Sequence, residues 1–318
     1  MAVRRRAVIT GVAGFIGSNL ADRLLAEGFE VVGIDNLAYG VLEQVPSGTE
    51  FHRLDIRSPA IYPVLKGAEV VFHLAAKNCI ADCQADPMET ASINVLGSVN
   101  VFEAARRAPV RKVIYAESSA VYEGSKRLPT PESEESPESF YALSKSAERL
   151  FARGYERFAG LVTTALRYFC VYGPRQDYRR TIPPVMSAFI IKLLKGERPA
   201  IYGSGQKRRD FVYVDDVNDF HVQCITDPRT DGQVFNLGSG ASHSVREIYD
   251  TVARLLGSEV KPELRADLPG EAEQTLADIA LARSLGWAPR VDLETGLRRS
   301  IEFIREHVMS PATAAGRA

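Results

Sequence analysis

Residues 7–17 read Ala7-Val8-Ile9-Thr10-Gly11-Val12-Ala13-Gly14-Phe15-Ile16-Gly17, a short apolar run followed by three glycines at a spacing of G-x-x-G-x-x-G. The apolar run suits a strand buried on both faces, and the glycines suit a tight turn that opens a helix. Glycine lets a backbone approach a pyrophosphate closely, and a helix N-terminus presents unsatisfied N–H groups and a partial positive charge to it. Three glycines in a turn are as readily a packing feature, so the next strand decides. It covers Glu30 to Ile34 and ends in Ile34-Asp35-Asn36, about twenty residues beyond the turn, where a carboxylate can accept a hydrogen bond from a ribose 2'-hydroxyl and repel a 2'-phosphate. That pattern favours NAD over NADP, although an aspartate also begins turns for purely local reasons.

Outward from this pair, Glu69 to His73, Lys112 to Ala116 and Leu161 to Tyr168 read as further strands, with helical stretches filling the gaps. Continuous apolar runs such as Val70-Val71-Phe72 belong to a parallel sheet covered on both sides. The expected fold is therefore α/β: a Rossmann-type doubly wound parallel sheet with a smaller C-terminal α/β substrate domain. After Gly173 the rhythm shortens, with helices expected near Val185 to Leu194 and Val245 to Leu256. We expect residues 1–173 to bind the dinucleotide and 174–308 mainly the substrate, with some segments returning to the first domain. The tail 309–318 has little to bury and should fray.

Composition removes several classes. Of 318 residues, 45% are hydrophobic and 25% charged, the balance of an ordinary globular protein. A formal net charge of −1 gives no basic field for nucleic acid, so an anionic ligand must meet a local cationic cluster. Arg4, Arg5 and Arg6 before an apolar stretch resemble a signal peptide, but the glycines at 11, 14 and 17 break that stretch, and no run reaches the ~18 apolar residues of a membrane span. A cytoplasmic protein without a membrane partner is expected. Cys79, Cys83, Cys170 and Cys224 form neither a disulfide framework nor a metal site, and none of the five histidines is assigned a catalytic role.

The chemistry is expected beyond the fifth strand. That strand runs into Glu117-Ser118-Ser119-Ala120, and some twenty residues later a helix carries Tyr141-Ala142-Leu143-Ser144-Lys145. Tyrosine and lysine four apart share a helical face, so the ammonium, together with a positive nicotinamide, can lower the phenol from about 10 and make it a usable base. Ser118, at a strand's carboxyl end, can bond the same substrate hydroxyl. Taken alone, a Tyr-x-x-x-Lys pair is more often a solvated helix face; the serine strand and glycine turn give it meaning.

The segments 11–17, Asp35-Asn36-Leu37, Asp55-Ile56, His73-Leu74-Ala75-Ala76 and Asn94-Val95-Leu96-Gly97 resemble, in order, the extended short-chain dehydrogenase/reductases, and nucleotide-sugar epimerases most of all. The resemblance continues to Leu285-Gly286-Trp287. It implies cofactor contacts from Gly11, Gly14, Phe15, Ile16, Gly17, Asp35, Asn36 and Leu37. Asp55 and Ile56 would flank the adenine, Leu74, Ala75 and Ala76 the pyrophosphate and ribose, and Asn94 and Tyr168 the nicotinamide half, with Ala116, Val171, Tyr141 and Lys145 also contacting the cofactor. It gives Ser118, Tyr141 and Lys145 the catalytic roles already described. Substrate contacts would come from Ser118, Ser119, Tyr141, Cys170 and Thr275, with Arg209 of the basic trio Lys207-Arg208-Arg209 gripping a diphosphate and Tyr202 stacking on the base.

Family members that dehydrate or decarboxylate commonly carry carboxylates just after the strand serine or threonine, where this chain has Ser119 and Ala120. The resemblance therefore implies 4-epimerisation of a nucleotide-diphosphate hexose, UDP favoured, through a 4-keto sugar, in a homodimer paired through the tyrosine helix and the helix after Asn94. The sequence departs from the epimerases at Cys170, usually asparagine, and at Leu268, often arginine; Arg175 or Arg265 could compensate. A small Thr275 suggests a pocket open to N-acetylated sugars. Two other readings stay open: a nucleotide-sugar dehydratase or ketoreductase on the same scaffold, and a dinucleotide sensor without chemistry.

Overall fold

The structure is a computed structural model that describes residues 5–179, 183–267 and 272–309. Its strands are β1 (Arg6–Thr10), β2 (Glu30–Asp35), β3 (Glu50–Arg53), β4 (Val70–His73), β5 (Lys112–Ser118), β6 (Thr163–Tyr168), β7 (Cys170–Tyr172), β8 (Ala200–Tyr202), β9 (Arg208–Tyr213), β10 (Val234–Leu237), β11 (Ser242–Ser244) and β12 (Glu263–Arg265). The helices are α1 (Phe15–Ala26), α2 (Ile80–Ala85), α3 (Pro87–Ala91), α4 (Ser98–Arg107), α5 (Phe140–Ala159), α6 (Val185–Leu194), α7 (Val214–Thr226), α8 (Val245–Leu256), α9 (Ala280–Ser284) and α10 (Leu293–His307). Residues 92–97, between α3 and α4, form a π-helical turn.

Seven parallel strands stand in the order β10-β6-β5-β4-β1-β2-β3. The doubly wound parallel sheet is thus the one expected, and its order reverses between β1 and β4, opening a crevice over the carboxyl ends. Alternation along each strand builds a core on either face. Ala7 and Ile9 pack with Leu20 and Leu24 of α1 and Phe220 of α7, whereas Val8 packs with Phe102 and Ala105 of α4. Both faces are covered, as the apolar runs required.

Two sheet strands were not anticipated. Glu50-Phe51-His52-Arg53 is polar and half-exposed because β3 is an edge, and Val234–Leu237 crosses from the second half of the chain to lie beside β6, with Leu237 opposite Tyr168. A second cluster of elements surrounds Phe189, Ile190, Ile248 and Leu297, drawn from α6, α8 and α10, beside the small sheet β11-β9-β7. β7 follows β6 after the single residue Phe169, so the chain passes from the large sheet to the small one at the rim of the crevice. No helix among the described residues is long and apolar enough to cross a membrane.

Candidate active site

A cavity of about 1170 Å³ runs along the carboxyl edge of the sheet, from the glycine turn to β7 and β9. At one end Gly11 adopts φ +76°, and a Cβ there would lie 2.8 Å from Ala75 N; a Cβ on Gly17 would lie 2.2 Å from Gly11 O. These glycines hold the turn against β4. Gly14 N-caps α1 without a side-chain bond, and the first helical turn carries no acid, so its N–H groups face the cavity with no competing anion. Asp35 stands beside this turn, its Oδ2 accepting from Ala13 N at 3.0 Å and its Oδ1 from Leu37 N at 2.8 Å. Burial pushes its carboxyl up while these two backbone bonds pull it down. Asn36 donates to Asp55 Oδ2 at 3.1 Å, and Arg57 holds Asp55 well below the usual carboxylate range. A dinucleotide fits this end: bare helix N–H groups for a pyrophosphate, then a carboxylate at the tip of β2.

Phe15, Ile16, Ile56, Leu74, Ala75, Ala76, Ala116, Tyr168 and Val171 all line the same cavity. Leu37 and Asn94 do not. Leu37 occupies a turn with φ 60° and contributes its N–H to Asp35. Asn94 is fully buried: its Oδ1 accepts from Lys77 N at 2.8 Å, and its Nδ2 donates to Lys77 O at 2.9 Å and Ser144 Oγ at 3.0 Å. It braces the segment after β4 against α5, with both amide N–H groups engaged. Tyr168 meets His221 Nε2 through its hydroxyl at 2.6 Å, which fixes its ring at the cavity wall.

The chemical residues converge in the middle. Ser118 ends β5 opposite Tyr168 in register, and α5, N-capped by Ser139, presents Tyr141 and Lys145 to the cavity on its buried face. Ser118 lies beside Tyr141, close enough to favour its ionised form. Lys145 Nζ donates to Ala116 O and to Glu148 Oε2, each at 2.8 Å. The expected lowering of the phenol is not found in the protein alone. Burial pushes Tyr141 above its ordinary value, Lys145 and Ser118 pull it down by less, and Glu148 pushes it up again. Reading the sequence missed Glu148, although its position three residues after Lys145 puts it on the same helical face.

Ser119, Cys170, Arg209 and Thr275 line the far end of the cavity. Arg209 Nη1 donates to Arg208 O at 2.9 Å and Ala272 O at 2.8 Å, which steadies its guanidinium. Burial raises the nearby Cys170 thiol to about 11, so the side chain at the position where an asparagine was expected is a neutral thiol. Thr275 Oγ1 accepts from Asp210 N at 3.3 Å. The expected cationic trio narrows to one residue: Lys207 pairs with Asp267 at 2.6 Å, Arg208 pairs with Glu247 at 3.0 Å, and only Arg209 of the three lines the cavity. Arg175 lines the wall but pairs with Asp22 at 2.6 Å, and Arg265 pairs with Glu263 at 2.9 Å on the surface. Tyr202 is not brought to the cavity; it lies on β8 beside Arg265. Leu268 lies outside the described residues.

The acidic stretch 132–138, between β5 and α5, is tied to the sheet through Glu132 and Glu135. Arg167, fully buried on β6, bonds Glu117 Oε2 at 2.5 Å and Glu132 O at 2.8 Å, and also pairs with Glu135.

The model of the NAD dependent epimerase/dehydratase family matches residues 7–238. The chain belongs to that family. Among its members, the UDP-glucose 4-epimerase of Mycolicibacterium smegmatis is 38% identical over 310 residues, covering 94% of this chain and 98% of the other. The crystal structure of a UDP-glucose 4-epimerase from Thermotoga maritima with UDP-glucose superposes with a TM-score of 0.91 at 33% identity, covering 95% of this chain and 99% of that one. A UDP-N-acetylglucosamine 4-epimerase from Methanobrevibacter ruminantium, in complex with UDP-N-acetylmuramic acid, gives 0.92 at 31% identity, with 96% and 99% covered. NAD is the cofactor of the family, and the glycine turn with Asp35 is the part of this member that fits it.

Proposed function

We propose that the chain is a 4-epimerase of a UDP-hexose, with residues 1–173 holding mainly NAD and 174–308 mainly the sugar nucleotide. The observation that carries the reading is one cavity that joins the bare N-terminus of α1, the Ser118–Tyr141–Lys145 group and Arg209, with Ser119 and Ala120 where a dehydrating member would place acids. NAD, when bound, supplies a reversible acceptor for the hydride on C4. Tyr141 Oη takes the proton of the C4 hydroxyl as the 4-keto sugar forms, and Ser118 Oγ steers that hydroxyl. Lys145 holds the phenol side of the site through its third N–H. Arg209 anchors the diphosphate while the sugar turns to present its other face. On return of the hydride to the opposite face of C4, Tyr141 gives its proton back to the C4 oxygen, which restores the hydroxyl with inverted configuration.

Thr275 leaves room for an N-acetyl group, so both UDP-glucose and UDP-N-acetylglucosamine are candidate substrates. A homodimer is supported by exposed apolar residues on and before the two helices expected to pair, with Leu150 of α5 66%, Phe158 of α5 81% and Leu96 59% exposed. We place the protein in the cytoplasm. The test is incubation with UDP-, dTDP- and GDP-sugars without added cofactor, followed by mass spectrometry and proton NMR. Isomers of equal mass with no net NADH change support an epimerase. Loss of water, or consumption of supplied NADH, points to the dehydratase or reductase, and no turnover of any sugar points to a sensor.

A further inference from the structure

Glu148 is a carboxylate with no exposed surface, packed between α5 and the sheet. Its Oε2 takes one N–H of Lys145 at 2.8 Å, while Ala116 O takes a second at 2.8 Å, so the ammonium keeps one donor for the cavity. Its Oε1 lies 3.4 Å from His73 Nε2 on β4. That ring is held from both sides, by Thr10 Oγ1 at 2.7 Å on Nδ1 and by Ser98 Oγ at 2.9 Å on Nε2. Thr10 Oγ1 accepts from Leu74 N and Ala75 N, so its own proton goes to Nδ1, and His73 carries its proton on Nε2, facing Ser98 and Glu148. Burial keeps the ring neutral. Lys145 and Glu148 are thus a buried pair of opposite charges, with a neutral histidine behind it.

A buried lysine beside a phenol would, unopposed, favour the phenolate permanently. A buried glutamate on the same ammonium opposes part of that effect, in addition to the burial of the phenol itself. Resting on Tyr141 as the base, we propose that Glu148 is a positioning residue that fixes Lys145 and offsets part of its charge, so that the buried Tyr141 stays a neutral phenol until a further positive charge arrives beside it. A base that must take a proton in one half-reaction and return it in the other needs this balance. The groups that face the pair are few. Ser118 of β5 and Cys83 of α2 lie near Tyr141, while Ser98 of α4, His73, and Tyr115 and Glu117 of β5 lie near Glu148, with Tyr168 of β6 close to both.

The test is a titration of phenolate absorbance in the NAD-loaded protein, with Tyr141→Phe as the blank that assigns the signal. Glu148→Gln should move the Tyr141 midpoint down by about one pH unit or more, and move the acid limb of the kcat profile down with it. Glu148→Asp, which keeps the charge but shortens the reach, should leave the midpoint near wild type while lowering kcat. A Glu148→Gln midpoint that is unchanged or higher, or a Glu148→Asp midpoint that falls as far as that of Glu148→Gln, overturns the proposal. If Glu148→Gln does not fold, Glu148→Asp is read against wild type: a midpoint kept within about half a pH unit with a lowered kcat supports the proposal, and a midpoint about one unit or more below wild type, or an unchanged kcat, overturns it. Retained epimerisation by Tyr141→Phe would instead overturn the base assignment, and the two failures are thereby distinguished.

Discussion

At the scale of single residues, the site rests on a phenol whose surroundings oppose its ionisation. Tyr141→Phe keeps the ring and its packing but removes the proton acceptor. Turnover should fall by several orders of magnitude while NAD stays bound, as steady-state kinetics and cofactor extraction would show. Because burial holds the phenol high, activity should rise with pH along the limb on which Tyr141 ionises. Gly17→Ala places a methyl against the backbone at Gly11 O and Val12 Cα, where no side chain can give way. It should cost about 1–3 kcal/mol and empty the protein of NAD, readable in denaturant titration and in the cofactor content of purified protein. Ser118, Tyr141 and Lys145 were legible because strand end and helix face are patterns of spacing. Glu148 was not, because a charged residue in an amphipathic helix is ordinarily solvated, and only the packing of β4 and α4 over it reveals its burial. The roles imagined for Asn94 and Tyr202 failed to come together for the opposite reason: their positions along the chain suit a ligand, but bonds to Lys77 and Ser144 engage the one, and β8 turns the other away from the cavity.

At the scale of elements, β5, β6 and the segment after Tyr122 are joined by a buried charge network. Arg167 on β6 satisfies Glu117 on β5 and holds the 132–135 segment through Glu132 O and Glu135. Removing only that cation leaves the buried Glu117 to the more distant Arg149, at 3.8 Å. Arg167→Ala should therefore destabilise the protein by about 3–5 kcal/mol in urea titration, more than an ordinary surface arginine would. The strands themselves were mostly legible, since β1, β2, β4, β5 and β6 are apolar runs closed by turns. β3 was hidden because an edge strand has no need to be apolar. β10 was hidden because four residues carry no usable period, and their pairing with β6 depends on a crossover that hydrophobic pattern does not encode.

At the scale of the whole molecule, two buried histidines tie stability to pH. His73 and His221 are both lowered to about 3 by burial, so each is neutral in the fold and protonates near 6.5 once the chain unfolds. The unfolded state binds more protons between those values, and stability is lost as pH falls from about 6.5 toward 3. Between pH 7 and 5 the two rings together should remove about 3–4 kcal/mol, and replacing His221 by an apolar residue should flatten that slope in denaturant titrations at the two pH values. The overall α/β plan was readable because it follows from buried strands alternating with helices.

The return of β10 to the flank of β6 has a consequence for how such a protein can be divided. A fragment cut after residue 173 would carry every glycine and carboxylate of the nucleotide end, yet its outermost strand would offer a bare ladder of amides and carbonyls to any neighbour. It should precipitate or self-associate on expression, and supplying 174–318 on a separate chain should rescue it. Grafting a new specificity onto this scaffold therefore means rewriting loops within one continuous polypeptide, not exchanging halves.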